Sequence, residues 1–435
     1  AGAIFYGGSK IYHNVNFTST GNQFIYDYNI FDKVTVNGNN FTIYGNNVFD
    51  TLYFNNSGQA ITLEAGKTQT IIDTMYAAGT CTGLTVLKSS IASTQATISK
   101  ASGSLTVNYL IFQDINAVGG ATFNANNSVQ ISNVTGWNFV SPPPQNLYWV
   151  GGSGNWDDPL HWATTSGGIG GSCIPTPYDN VFFDTLSFTG INDTVYFNPT
   201  VGYCKNMDWT GEQNNPLFFS VFSGALKIFG SLTYIDSMYE AISSYNFEST
   251  VTGNTITTAG HILSGFSFNG TGGSWILQDT LNISYINVTR GSFYSNNQVI
   301  NCANSFNSNS TVARGVYLGT STVNVGGTNW GMFWTTLLTM DADSATINMT
   351  TNAGAIFYGG SKIYHNVNFT STNNAFIEDI NTFNKVNVNG NFTINNNNTF
   401  DTLYLNNPGK TVTLKAGKTQ TINNSFMTNA FAGFP

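Results

Sequence analysis

The amino-acid sequence predicts an all-β protein built as a right-handed parallel β-helix, or β-solenoid, with its modules in a tandem array. Three observations lead to this fold class: a long segment that occurs twice, a shorter beat of strand-like segments within it, and a composition poor in charges and rich in strand formers. Each coil of a parallel β-helix stacks on the previous one, so a recurring beat of short strands is its signature.

The long repeat begins with identical residues. The segment AGAIFYGGSKIYHNVNFTST occupies residues 1–20 and returns unchanged at 353–372. The similarity continues further on, where FDTLYFNNSGQAITLEAGKTQTI from Phe49 matches FDTLYLNNPGKTVTLKAGKTQTI from Phe400. A long module therefore begins again at Ala353. Because the chain starts inside a recurring motif, we interpret it as a segment of a longer protein.

A shorter beat is present within the module. The segments HNVNF, DKVTV and DTLYF place Val15, Val34 and Leu52 at nearly equal intervals along the chain. Later segments such as NQVIN and STVNV continue it through Val299 and Val323. Gly and Asn separate these strands, and asparagines at equivalent turns are expected to stack into ladders that satisfy their amides. The alternative, an array of β-sandwiches, predicts no such rung register.

Consecutive prolines divide the chain. Pro142, Pro143 and Pro144 predict a stiff, extended spacer. The domain prediction is as follows: residues 1–140 form the C-terminal part of one β-helix module, 141–146 form a Pro-rich linker, and 147–435 form most of the next module, with a cap region at about 147–210.

Composition excludes two classes of partner. Charged residues are 8% of the chain, the formal net charge is -8, and the arginines are Arg290 and Arg314, which together predict no nucleic-acid binding. The sequence has no run of about 18 apolar residues, so we expect no membrane insertion.

A carbohydrate-active β-helix enzyme, a polysaccharide lyase or hydrolase, is the alternative function. Such enzymes need clustered carboxylates or an acidic metal site. The glutamates are few and dispersed: Glu64, Glu212, Glu240, Glu248 and Glu378. The repeat also replaces Glu64 by Lys415. His13 and His365 each stand alone and are interpreted as turn histidines rather than metal ligands. We therefore predict no catalytic residues, no metal-binding residues and no enzymatic activity.

The start of the second module contains both acids and tryptophans. A solenoid end must be covered, and the sequence predicts that Trp149, Trp156 and Trp162 form this cap. A calcium site is the competing interpretation, because hard cations bind several carboxylate oxygens. Its candidate ligands are Asp157, Asp158 and Asp179. No other cofactor is expected.

The chain has four cysteines. Cys173 and Cys204 both lie in the predicted cap region and are the candidate disulfide, although connectivity does not follow from sequence alone. Cys81 and Cys302 are interpreted as small buried apolar residues.

An ordered series of segments carries a resemblance to a known family. YWVGGSGNWDDPLHWATTSGG, CIPTPYDNVFFD, CKNMDWTG and TQATISKASG resemble the long repeats of giant surface proteins of Bacteroidota, a group that includes gliding-motility adhesins of the SprB type. The resemblance implies export by the type IX secretion system and display as a filament attached to the outer membrane. It also implies extracellular surfaces or polysaccharides, neighbouring modules, and the gliding or secretion machinery as partners, the last through regions outside this segment.

A short motif resembles the O-glycosylation signal of exported Bacteroidota proteins. Eight of the seventeen aspartates precede Ser or Thr and then a small or aliphatic residue, where the composition predicts about one or two. The candidate glycosylation sites are Thr51, Thr74, Thr185, Thr194, Ser237, Thr280, Ser344 and Thr402. The alternative is that Asp-Thr starts a strand, with Asp bonding the backbone of the turn.

Together these features predict a structural and adhesive repeat segment of a long filamentous adhesin that serves surface attachment or gliding motility. Exposed aromatic side chains among the 21 tyrosines are the expected carbohydrate contacts.

Overall fold

The structure is a computed structural model that describes residues 2–429. Strands account for 53% of it and helices for 1%, and the parallel strands stack as a β-solenoid with about 21 turns in all. The predicted all-β solenoid is therefore confirmed.

The chain forms two compact units. Unit 1 comprises Ala1–Gln145, Asp157–Pro159 and Gly171–Tyr178, and unit 2 comprises Asn146–Trp156, Leu160–Gly170 and Asp179–Pro435. Unit 1 thus includes two short segments from the range predicted to cap the next module. The module boundaries themselves stay a prediction, because compact units and sequence repeats are different divisions of the chain.

Unit 1 contains sixteen strands within the described residues. They are β1 (Ala3–Tyr6), β2 (Ile11–Phe17), β3 (Asn22–Tyr26), β4 (Ile30–Val36), β5 (Asn40–Ile43), β6 (Asn47–Phe54), β7 (Ala60–Leu63), β8 (Thr68–Ala77), β9 (Thr85–Ser89), β10 (Ala96–Ser99), β11 (Ser104–Asn108), β12 (Leu110–Gln113), β13 (Ile115–Val118), β14 (Thr122–Asn126), β15 (Val129–Ser132) and β16 (Asn138–Val140). They form three parallel sheets, in the orders β1-β3-β5-β7-β9-β12-β15, β13-β10-β8-β6-β4-β2 and β11-β14-β16.

The strands of unit 2 follow in chain order. The first group is β17 (Asn146–Trp149), β18 (Gly154–Asn155), β19 (Trp162–Ala163), β20 (Asn180–Phe182), β21 (Thr194–Phe197), β22 (Val201–Cys204), β23 (Met207–Asp208), β24 (Leu217–Ser220), β25 (Ala225–Ile228), β26 (Leu232–Thr233), β27 (Tyr239–Ala241), β28 (Ser244–Phe247), β29 (Asn254–Thr257), β30 (Ile262–Leu263), β31 (Phe266–Phe268) and β32 (Ser274–Leu277). The second group is β33 (Leu281–Val288), β34 (Gly291–Tyr294), β35 (Ile300–Asn309), β36 (Arg314–Tyr317), β37 (Thr322–Val325), β38 (Asn329–Phe333), β39 (Leu338–Asp341), β40 (Thr346–Met349), β41 (Ala355–Tyr358), β42 (Ile363–Phe369), β43 (Ala375–Glu378), β44 (Thr382–Val388), β45 (Phe392–Ile394), β46 (Asn398–Leu405), β47 (Val412–Leu414) and β48 (Gln420–Thr428). Two short 3₁₀ helices cover Pro159–His161 and Thr335–Leu337.

Unit 2 also has three sheets. A ten-stranded sheet has the order β19-β17-β20-β23-β26-β29-β32-β34-β36-β39, and a four-stranded sheet has the order β18-β21-β24-β27. An eighteen-stranded sheet runs from β22 to β48. Its strands pair in parallel, whereas β19 pairs antiparallel with β17 at the first edge of the ten-stranded sheet.

The core consists of apolar columns that run through successive turns. Val15, Val34 and Leu52 occupy paired positions of β2, β4 and β6, which confirms the predicted beat. The beat is wrong by one residue at Val299: Ile300 pairs with Val323 and is buried, whereas Val299 is exposed. Two adjacent β-branched residues make both registers plausible by sequence, and a shift of one residue exchanges the two faces of a strand.

Candidate functional site

A column of asparagine side chains runs along the outer face of the eighteen-stranded sheet. Its members occupy paired positions in six strands: Asn282, Asn301, Asn324, Asn348, Asn368 and Asn387. In five of the six, Nδ2 donates a hydrogen bond of 2.5–2.8 Å to the Oδ1 of the asparagine in the preceding turn. The first, Asn282, donates instead to the carbonyl of Gly260 at 3.0 Å. Five amide–amide bonds thus link six turns in the direction in which turns stack.

A second ladder lies inside the turns and occurs in both units. In unit 1, the side chain of Asn47 accepts from the backbone N–H of Asn29 at 3.0 Å and donates to Gln69 Oε1 at 3.3 Å. In unit 2, Asn398 accepts from the N–H of Asn381 at 2.9 Å. These side chains are buried and satisfy backbone groups where the chain turns. The prediction of asparagine ladders at turns is confirmed, and the outer column adds a ladder within strands.

One exposed tryptophan distinguishes unit 2. Trp334 has 68% of its surface exposed, whereas the other seven tryptophans are at most 9% exposed. Its backbone adopts the left-handed conformation, with φ of 50°. This conformation is unfavourable for a bulky side chain and costs on the order of 1–3 kcal/mol. Strand alternation alone predicts Trp334 on the same inward face as Trp330, so sequence reasoning missed the site.

A buried arginine holds the backbone at Trp334. Arg314 is 4% exposed, and its guanidinium donates to the carbonyls of Phe333 at 2.5 Å and Trp334 at 3.4 Å. It also donates to Ser308 Oγ at 2.6 Å and to the Ser310 carbonyl at 2.7 Å. Within residues 2–429 it has no carboxylate partner, and burial lowers its pKa. The cation is therefore balanced by carbonyl dipoles.

The next turn supports the same loop from the other side. The ammonium group of Lys362 donates to the carbonyls of Leu338 at 2.8 Å and Thr335 at 3.3 Å. Burial, and secondarily the charge of Arg314, lowers the pKa of Lys362. Gly360 has φ of 62°, and a Cβ there would lie 2.4 Å from Thr335 Cγ2, so glycine permits this close approach.

The three predicted cap tryptophans lie together at the first turn of unit 2. Trp149, Trp156 and Trp162 are buried, and the Trp162 ring lies 5.2 Å from Trp149 and 5.0 Å from Trp156 between centroids, edge to face. Trp162 belongs to β19, the antiparallel strand at the edge of the ten-stranded sheet. Their role as the cap of a module stays a prediction.

The predicted disulfide between Cys173 and Cys204 is wrong. Cys173 is bonded to Cys81, 92 residues away in sequence, and their Cα atoms are 4.9 Å apart. The physical reason is that Gly171–Tyr178 packs in unit 1, where the N–H of Ile174 donates to the Cys81 carbonyl at 3.3 Å. Sequence proximity therefore pointed to the wrong partner, and the interpretation of Cys81 as a free, buried residue is also wrong.

The remaining two cysteines are buried thiols. Cys204 lies inside unit 2, and burial raises the pKa of its thiol. Cys302 is buried as predicted, and burial raises its pKa to about 12.

The predicted calcium ligands do not form a recognisable cluster. Asp157 and Asp158 belong to unit 1, whereas Asp179 belongs to unit 2 and is buried. Among residues 2–429, no group of three or more His, Cys, Asp or Glu side chains is arranged to hold a metal ion. Calcium binding stays a prediction. The prediction that His13 and His365 occupy turns is wrong, because they lie in strands β2 and β42, where His13 contacts the carboxylate of Asp32.

The candidate glycosylation sites have different environments. Thr185 and Ser344 are exposed, Thr194 is buried, and the others are half-buried. The alternative interpretation, in which the aspartate bonds the backbone of a turn before a strand, fits Asp193. Its carboxylate accepts a hydrogen bond from the N–H of Gly190 at 2.8 Å, immediately before β21. Thr51 and Thr402 instead lie within strands, and each hydroxyl donates to the preceding aspartate, at 3.5 and 3.3 Å. Glycan occupancy stays a prediction.

A buried acid lies in the interior of unit 2. The hydroxyl of Tyr245 donates to Glu240 Oε1, and the hydroxyls of Tyr245 and Tyr234 are 2.9 Å apart. Burial raises the pKa of Glu240 to about 7, although hydrogen bonds from Tyr245 and from the N–H of Ile242 oppose the shift. The raised pKa of Glu240 therefore comes from its burial. A raised pKa of this kind occurs in structural acids as well as in catalytic ones.

Two neighbouring carboxyl groups lie at the end of β39, the half-buried Asp341 and the exposed Asp343. Burial, and then a hydrogen bond and the charge of Asp343, raise the pKa of Asp341. Carboxyls that share a hydrogen bond are closer than the roughly 5 Å or more that glycosidases place between their two acids. The enzyme alternative stays untested by this pair.

Comparison of the chain with protein-family models, with curated proteins and with solved structures finds no match. Within residues 2–429, no helix has the length and apolar character needed to cross a membrane.

Proposed function

We propose that this chain is a structural and adhesive repeat segment of a long, filamentous cell-surface adhesin that serves surface attachment or gliding. The observation that carries the proposal is that the repeated segment makes the same strand pairing in both units, even where the residue in the next turn differs. Ala3 pairs with Gln23, and its copy Ala355 pairs with Ala375, the equivalent position one turn later. A sequence that rebuilds one stackable turn is suited to extending a solenoid by repetition.

The asparagine ladders support a mechanical role. Their amide bonds join consecutive turns and add to the backbone hydrogen bonds between parallel strands. The resemblance to Bacteroidota surface repeats supports an extracellular location, type IX secretion and a connection to gliding. The enclosure of Glu240, the acid with the raised pKa, supports a structural rather than a catalytic interpretation of this residue.

The test is incubation of the purified chain with insoluble and soluble polysaccharides, measuring both retention and newly released sugar ends. We expect retention on at least one polysaccharide without released ends. Heat-unfolded protein is the control for nonspecific adsorption. Release of sugar ends would contradict the proposal and favour the enzyme, and absence of retention on every polysaccharide would contradict the adhesive role.

A further inference from the structure

The loop that displays Trp334 has the features of a built contact site. We define the Trp334 loop as residues 333–339, between the end of β38 and the first residues of β39. Its tryptophan adopts an unfavourable backbone conformation while its side chain is directed to solvent. The surrounding turns hold this conformation although the tryptophan ring gains no burial from it, and such backbone outliers concentrate at ligand-binding sites.

The supports of this loop fix its shape. Arg314 donates to the carbonyls of two consecutive residues, Phe333 and Trp334, and Lys362 donates to the carbonyls of Thr335 and Leu338. Four carbonyls of the loop are thus tied to two cations that are buried or half-buried. A loop held in this way presents its aromatic ring with little conformational freedom to lose on binding.

The exposed side chains of the loop are uncharged. Trp334 and Leu337 provide apolar surface, and Thr336 and Thr339 provide hydroxyl groups. The loop contains no ionisable side chain, and the two cations beneath it donate to carbonyls. A sugar ring has a complementary surface, since its C–H face packs on an indole and its hydroxyls bond to polar groups at the rim.

We propose that the Trp334 loop is a contact site for uncharged sugar rings of an extracellular polysaccharide. This inference rests on the proposed adhesive function and assigns it to one site. A polyanion fits poorly, because the cations lie beneath the loop with their N–H groups engaged. A protein or a lipid surface is a different occupant, which the experiment distinguishes.

The principal variants are Trp334→Ala and Trp334→Phe. Binding is measured by retention on cellulose and chitin and by titration with soluble xylan and dextran. A third measurement is the protection of tryptophan fluorescence from quenching by acrylamide. Because Trp334 is the exposed indole, it accounts for most of this quenching. We expect Trp334→Ala to lose about tenfold or more in affinity and Trp334→Phe to keep most of it. Phe222→Ala, which removes another aromatic side chain that is 69% exposed in unit 2, is the matched control and should bind as the parent chain does.

A further variant separates a binding role from a structural one. Asparagine tolerates the left-handed conformation better than tryptophan, so Trp334→Asn should melt at or above the temperature of the parent chain while losing binding. If Trp334→Asn melts well below the parent chain, Trp334 is a structural residue and the inference is wrong.

The outcomes also separate this inference from the proposed function. If the parent chain binds a polysaccharide and Trp334→Ala binds it equally well, the adhesive function stands and this site is wrong. If the parent chain binds none of the four glycans, both fail. If Trp334→Ala loses retention on neutral phosphatidylcholine vesicles or on a protein-coated surface instead, the sugar assignment is wrong.

Discussion

The same twenty-residue sequence occupies two different environments in this protein. In unit 1, β1 and β2 begin their sheets and pair within the described residues only with β3 and β4. In unit 2, their copies β41 and β42 also pair with the preceding strands β38 and β40. Tyr12 is consequently half-buried, whereas its counterpart Tyr364 is fully buried. The amino-acid pattern decides which side chains face the interior, and a neighbouring turn decides whether they are covered.

The polar groups show the same contrast. The Oδ1 of Asn381 accepts from the backbone N–H of Ser361 at 3.1 Å. The equivalent oxygen of Asn29 is buried and has no hydrogen-bond partner among the described residues. A neighbouring bond is the same in both copies, since the N–H of Gly8 donates to Asp27 and the N–H of Gly360 donates to Asp379. Within the described residues, the copy of this turn in unit 2 therefore satisfies a buried oxygen that the copy in unit 1 leaves unpaired.

The largest difference in unfolding free energy should come from truncating Tyr364 and its counterpart Tyr12. Tyr364 donates to the Gly359 carbonyl at 2.8 Å and accepts from Trp330 Nε1 at 3.3 Å. Tyr364→Ala should lower the free energy of unfolding by about 4 kcal/mol, as for other large buried aromatics. Tyr12→Ala should lower it by about 1 kcal/mol. Urea titrations of both variants measure the difference, and equal losses would show that burial does not distinguish the two copies.

Burial has the opposite effect on a charged group. It stabilises an aromatic ring, but it destabilises the ionised form of a buried acid such as Glu240. The folded protein holds the proton of Glu240 up to its pKa of about 7, whereas an unfolded glutamate releases it near 4.5. Stability should therefore fall by about 3 kcal/mol as pH rises from roughly 4.5 to 7. Glu240→Gln should flatten this part of the pH profile of the unfolding free energy. An unchanged slope in the variant would assign the pH dependence to other groups.

A weaker contrast is expected for one asparagine in its two copies. Asn368 donates to Asn348 at 2.7 Å and accepts from Asn387 at 2.5 Å, whereas its counterpart Asn16 is exposed and lies outside any such ladder. Asn368→Ala should cost about 2 kcal/mol of unfolding free energy through two lost hydrogen bonds. Asn16→Ala should change it by less than about 0.5 kcal/mol. Thermal melts compare the two variants, and a loss for Asn16→Ala as large as that for Asn368→Ala would argue against a stabilising ladder.

Much of the fold could be predicted from the chain because its determinants are local and repeated. The spacing of Val15, Val34 and Leu52 predicted which strands pair, and the frequency of asparagine predicted ladders at turns. The prediction failed where two adjacent residues were equivalent by type, as at Val299 and Ile300. The period and the residue types predict the pairing register of a strand only where one face of that strand is clearly more apolar than the other.

The candidate site was less predictable. The sequence pointed to tyrosines as sugar contacts and did not single out Trp334, which strand alternation alone would place on the face of Trp330. The left-handed backbone at Trp334 reverses that orientation, and it depends on Arg314 and Lys362, which belong to the preceding and the following turns of the solenoid. Likewise, Cys173 is bonded to Cys81 rather than to Cys204, its nearer neighbour in sequence.

The amino-acid sequence alone specifies the all-β solenoid, the recurrence of its turns and the inward-facing apolar columns, because these follow from period, residue type and turn chemistry within about 20 residues. Contacts between turns decide which copy of a turn is covered, which cysteines meet and which tryptophan faces solvent. The free energy of each of these contacts depends on burial and on residues in neighbouring turns that lie outside the repeated segment. These residues come together only when the chain has folded.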